Sequence, residues 1–211
     1  MKRISSRESL LEALGKPATL RNADLTFMDL SGVDFSGMDL TGANLSGSVV
    51  RRGLFLESRM SSLYVQDSEL SACDFSRAHL EGAFFQRVKM AGCRFVDVIG
   101  SGASLLLSDL REAHFERGEW RATQMLESDF SGAVFRETAL TTAVWRDSNL
   151  TDTRFVGCDL SGGDFRKTGL ISAHFEDVKT EGVMYYGRSP WDGVVLSDID
   201  WSKKLVTFDG E

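Results

Sequence analysis

The chain has 211 residues, 42% hydrophobic and 26% charged, with a net charge of −7. That length suits one domain or two small ones and supplies enough apolar side chains for a core. The acidic balance argues against direct nucleic-acid binding, no apolar run approaches the ~20 residues of a membrane span, and the N-terminus lacks the apolar stretch of a signal peptide.

Three cysteines, an odd number, do not read as a secreted disulfide framework, so a cytoplasmic protein is expected. The first segment, residues 1–20, reads as a helical cap. "SSRESLLEAL" spans residues 5–14, with Ser5 or Ser6 as the N-cap and Glu8 three residues after Ser5. Gly15 and Pro17 then end the helix. Leu10, Leu11 and Leu14 are available to cover whatever follows.

Residues 21–185 have a different rhythm. In "ADLTFMDLSGVDFSGMDLTGANLSG", residues 23–47, a large apolar residue falls at Leu25, Leu30, Phe35, Leu40 and Leu45. Neither a helix (period 3.6) nor a flat strand (period 2) produces a period of five. Call the apolar centre position i. From Leu25 to Phe175 there are 31 centres, and all but Gly100 are Leu, Phe, Met, Val or Trp. Position i−2 is small or Val at 28 of the 31, the exceptions being Met28, Met38 and Leu63. No insertion breaks the register.

Units such as "ADLTF", "ANLSG", "CDFSR" and "CDLSG" resemble the A(D/N)LXX consensus of the pentapeptide-repeat family, over about residues 21–185. The resemblance implies an all-β fold, a right-handed quadrilateral β-helix with four pentapeptides per coil and about eight coils. Parity agrees: i−2 and i point inward from a short extended segment, i−1 points outward, and i+1 and i+2 turn the corner. Coils stack at about 4.8 Å, giving a rod roughly 38 Å long.

A 20-residue coil predicts that centres 20 apart stack. The third column is Phe35, Phe55, Phe75, Phe95, Phe115, Phe135, Phe155 and Phe175, an unbroken phenylalanine ladder. In the fourth column Gly100 leaves a gap one coil before Trp120, so the Trp120 indole is expected to lean into it. After Tyr186 the fives stop. Residues 186–211, with Trp191 and Trp201, read as a C-terminal cap or a homodimer surface.

Chemistry is not expected. His79, His114 and His174 all occupy outward i−1 positions and are too far apart to share a metal. Cys73 and Cys93 occupy inward i−2 positions on adjacent coils, close enough for a disulfide but more in keeping with two buried thiols; Cys158 is likewise inward. No catalytic residue, metal site or cofactor is predicted, and the protein is read as a non-enzyme.

The outer faces then decide function. From residue 24 to 182 the four faces carry net charges of −1, −2, −3 and −2. Some proteins resembling this one bind DNA gyrase or topoisomerase IV, are thought to mimic the DNA duplex, and protect against quinolones or gyrase poisons. A ~38 Å duplex carries about 22 charges, against −8 for this rod, so mimicry by charge density is poorly supported and mimicry by shape remains open. On the third face, Glu57, Arg77, Asp97, Arg117 and Glu137 form a ladder of alternating sign. The first face departs most from consensus: Tyr64, Phe84, Leu106, Leu107, Leu126 and Val144 form an apolar patch, the predicted partner-binding site. The first expectation is a protein-binding scaffold. The alternatives implied by the resemblance are a gyrase- or topoisomerase IV-binding protein, or an accessory or effector of a secretion system.

Overall fold

The computed structural model describes residues 2–3, 8 and 20–185 of the chain. The predicted helix over 5–14 and the segment 186–211 lie outside the described residues, apart from Glu8, which is exposed.

Parallel pairing with an offset of 20 runs through the rest. On the first face it connects Asp24, Asn44, Tyr64, Phe84, Ser104, Gln124, Val144, Asp164 and Met184 in eight unbroken steps. Backbone groups are satisfied between coils, as in Leu25 N–H to Asn44 O and Leu45 N–H to Tyr64 O, both 2.9 Å. The result is a four-sided β-solenoid with the i residues from Leu25 to Leu170 buried on the axis. One strand was not predicted: β1 (Lys2–Arg3) pairs in parallel with β2 (Ala23–Asp24), extending the first face at its N-terminal edge.

The consensus residues outside the core have a physical reason. Where i−1 is Asp or Asn, its side-chain oxygen accepts the backbone N–H of i+1, as Asp29 does from Ser31 and Asn149 from Thr151. This local bond holds a tight corner. Eight sides instead open into three-residue strands: β3 (Tyr64–Gln66), β4 (Phe84–Gln86), β5 (Arg94–Val96), β6 (Ser104–Leu106), β7 (His114–Glu116), β8 (Val134–Arg136), β9 (Arg154–Val156) and β10 (His174–Glu176). None has Asp or Asn at i−1. Strands β3, β4 and β6 flatten the first face, and β5, β7, β8, β9 and β10 flatten the third.

Position i+2 closes each corner with positive φ. Glycine takes it freely at Gly47 (φ 70°), but Leu107 (φ 52°) and Thr142 (φ 57°) hold it too, against the usual preference of side chains with a Cβ. A second polar device occupies the corner between the first and second faces. Ser108, Ser128 and Ser148 are buried at i−2, and the Ser128 and Ser148 hydroxyls accept the backbone N–H of Ser108 and Ser128 in turn. Their own O–H groups donate to carbonyls, as Ser148 does to Met125 O at 2.6 Å. The small i−2 residue therefore satisfies backbone polarity as well as saving space.

Inside, the phenylalanine ladder stacks as predicted. From Phe35 to Phe175 successive ring centroids are 4.4–5.1 Å apart and within 11° of parallel. The Trp120 indole does fill the gap at Gly100, where a Cβ would stand 2.7 Å from indole carbons. Gly118 is cut away for the same ring. Cys73, Cys93 and Cys158 are buried free thiols. Cys73 and Cys93 donate S–H to the carbonyls of Val50 and Leu70, and burial pushes the Cys93 thiol well up.

On the second face, Arg111 makes two side-chain bonds to Asp109, at 2.8 and 2.7 Å, which hold that carboxyl below its usual value. Bonds from Ser161 do the same for Asp159. A carboxyl with a depressed folded pKa stabilises above its unfolded value, about 3.9, and loses that contribution as pH falls through the lower folded value. Folding stability is therefore expected to decline below about pH 4. Arg111→Ala should flatten the decline, measured by urea denaturation from pH 6 down to 2; an unchanged pH profile would refute the assignment.

Candidate functional site

The first face carries all six predicted contact residues, and it does not present them as one block. Tyr64 and Phe84 are paired in register on β3 and β4, and their rings stack at 5.1 Å and 7°. Tyr64 O–H donates to Gln66 Oε1 at 3.0 Å, which steadies the ring. The next two residues of the same column are Ser104 and Gln124, so the column turns polar before Val144. The apolar surface crosses instead to the i+1 column, where Leu106 pairs with Gln86, and continues at Leu126. The patch is thus a diagonal stripe across the face.

Its exposure is uneven. Tyr64 (40%) and Leu107 (44%) are exposed, while Phe84, Leu106, Leu126 and Val144 are half-buried. On a flat wall with coils about 4.8 Å apart, the side chains above and below cover each one. Two further apolar residues of this face were missed: Phe27, 84% exposed and lying over Gly47, and Met184, 44% exposed. Phe27 was legible, since it stands at the i+2 corner where glycine is favoured.

The C-terminal part of the face holds a depression of about 460 Å³ lined by Gln124, Leu126, Glu127, Val144, Arg146, Asp147 and Asp164. On its wall Asp164 is buried and paired with two arginines. Arg146 Nε–H donates to its Oδ2 at 2.5 Å, and Arg166 donates to both oxygens at 2.9 and 2.8 Å. Burial pushes the Asp164 carboxyl up, against the hydrogen bond and charge of Arg146. This cluster was not anticipated, because its arginines and carboxylate belong to different coils or to opposite ends of one corner.

The third-face ladder forms as separate pairs, Glu57 with Arg77 at 2.7 Å and Asp97 with Arg117 at 2.8 Å. At such exposure solvent screens both pairs, and each contributes little. The histidines sit on the surface, His79 and His174 each 3.5 Å from a glutamate of the same side. Among the described residues no three His, Cys, Asp or Glu side chains come together in a way that could hold a metal, and no helix is long and apolar enough to cross a membrane.

The model of the family described as pentapeptide repeats matches residues 18–52, 68–99 and 128–166, in 8 copies. The quinolone resistance pentapeptide repeat protein QnrB96 of Scandinavium goeteborgense is 31% identical over 99 residues, covering 42% of this chain and 46% of that protein. The match therefore spans less than half of that relative's length. Among solved structures, a trypsin-treated variant of QnrB1, described as a plasmid-mediated fluoroquinolone resistance protein, aligns with a TM-score of 0.51 at 18% identity over 88% of each chain. That likeness concerns the fold alone. HetL, a pentapeptide repeat protein involved in heterocyst differentiation regulation in the cyanobacterium Nostoc sp., aligns with a TM-score of 0.41 at 17% identity, over 86% of this chain and 93% of its own.

Proposed function

The chain belongs to the pentapeptide-repeat family, and from that premise we propose that it is a non-enzymatic, cytoplasmic protein-binding rod whose first face is the contact surface. The observation that carries the reading is the apolar stripe of Tyr64, Phe84, Leu106, Leu107 and Leu126 on strands and corners that have abandoned the polar consensus. The interior is filled with apolar side chains, and a flat apolar stripe on the outside suits a protein interface. The Leu106→Glu/Leu126→Glu variant is expected to lose capture of its partner at least ten-fold while melting at the wild-type temperature. Pull-down on immobilised protein and sedimentation velocity measure this. Equal capture and identical sedimentation of the two proteins would remove the first face from consideration.

A second reading, in which the partner is DNA gyrase or topoisomerase IV and the outcome is quinolone tolerance, is favoured by the 31% identity to a protein named for quinolone resistance. A supercoiling assay with and without a fluoroquinolone tests it. Relief of inhibition supports the reading, and no effect at micromolar protein removes it.

A further inference from the structure

We propose that the first face pairs with the first face of a second copy of this chain, the two rods lying side by side in parallel. The proposal rests on the reading of that face as a contact surface and names its occupant.

The flat part of this wall carries no charge. From Asn44 to Val144 its two outward columns hold eleven residues, all of them Asn, Ser, Gln, Tyr, Phe, Leu or Val. Over the same coils every other wall is charged, with Glu69 and Lys89 on the second, Arg94 and Arg136 on the third, and Glu81 and Glu119 on the fourth. Absence of charge with aromatic side chains retained is the composition of an interface core. A basic partner surface finds no carboxylate to pair with here, and an acidic one finds no cation. The wall matches an uncharged surface, and the chain itself supplies one. Because the chain carries a net charge of −7, two copies repel, and this wall is where they meet with the least like charge opposed.

The two edges of the wall fix the orientation. The edge toward the second face carries Asp67, Arg87, Glu127, Asp147 and Lys167, whereas the edge toward the fourth carries Ser62, Gly82, Gly102, Ala122 and Thr142, without charge. At Gly82 and Gly102 nothing lies within 4 Å of where a Cβ would stand, so this edge is open. A two-fold axis along the rod sets the charged edge of each copy against the open, uncharged edge of the other. An axis across the rod would set the two charged edges together. With the axis along the rod, equal rungs oppose and the two columns exchange. Leu106 then faces Ser104 of the second copy, a long side chain against a short one, and Phe84 faces Gln86. Five coil steps of about 4.8 Å give a contact about 24 Å long, the scale of a weak, concentration-dependent dimer.

Sedimentation equilibrium of the full chain tests this, from about 10 to 500 µM at about 50 and 500 mM NaCl. A monomer–dimer equilibrium is expected that tightens at least about three-fold at the higher salt, because screening relieves the repulsion between two acidic rods while the contact itself is uncharged. The Leu106→Glu/Leu126→Glu variant should stay monomeric while melting at the wild-type temperature. Ala122→Lys, on the open edge opposite Glu127 of the second copy, should tighten the dimer at least about three-fold at low salt, and Ala122→Glu should weaken it as much. A chain that stays monomeric, a dimer that loosens with salt, or Ala122 variants without effect would each overturn the proposal. If the chain stays monomeric while Leu106→Glu/Leu126→Glu abolishes partner capture, the second copy is refuted and the face stands. If that variant loses the dimer yet captures normally, the second copy stands and capture through this face fails. If it dimerises like the wild type, the second copy is refuted at this face.

Discussion

Replacing Trp120 with alanine is expected to destabilise the rod by about 3–5 kcal/mol, the range for removing a large buried aromatic. The indole is fully buried and meets Phe95 and Phe115 edge-on, at 5.5 and 5.2 Å. It also fills the space that Gly100 and Gly118 leave open. Its Nε1 has no hydrogen-bond partner, so the loss is of packing alone. Gly100→Leu should also destabilise, by about 1–3 kcal/mol, because its Cβ would stand 2.7 Å from the indole. Combined with Trp120→Leu, however, it restores the column's ordinary residue at both levels. The two single variants and the double variant form a thermodynamic cycle, measured by urea denaturation. A double variant much more stable than the sum of the singles predicts, with a coupling of about 2 kcal/mol, is the expected result. Simple additivity would show that the two positions do not share one volume.

A similarly large effect is expected at Phe115. This ring stacks between Phe95 and Phe135 at 4.6 and 4.4 Å and touches Trp120 and Phe130 as well. Phe115→Ala removes buried area and two stacking contacts, for about 3–5 kcal/mol in all. Phe175 occupies the same column but is half-buried and stacks on Phe155 below it. Phe175→Ala is therefore expected to cost less than half as much. In a solenoid each coil is held by its neighbours, so the Phe115 variant should also lose hydrogen-exchange protection in the adjacent coils first. Equal costs at the two positions would mean that the stack does not behave as a chain of neighbour contacts.

These positions were readable before any coordinates, and the reason is geometric. Inward and outward are decided by parity within five residues, and stacking by a period of 20 without insertion, so Phe115, Trp120 and Gly100 could be placed by counting. The candidate surface was only half readable in this way. Counting put Tyr64, Phe84, Leu106, Leu107, Leu126 and Val144 on one wall. It did not show how Ser104 and Gln124 break the column between Phe84 and Val144, because whether neighbouring side chains merge into one surface depends on how adjacent coils cover each other. Phe27 was overlooked although the corner rule exposes it.

By itself, the sequence determined the coil, its register, the contents of its core columns and which wall departs from the polar consensus. Each of these follows from short-range backbone geometry repeated without interruption. Only the tertiary structure decided which long outer side chains bind one another. Arg146 and Arg166 both turn to Asp164, whereas Arg87 reaches Asp67 on the coil before it. An arginine has several rotamers that reach carboxylates on its own coil or the next. The choice among them depends on what the adjacent coils place within reach and how deeply they bury it, which no period in the chain encodes.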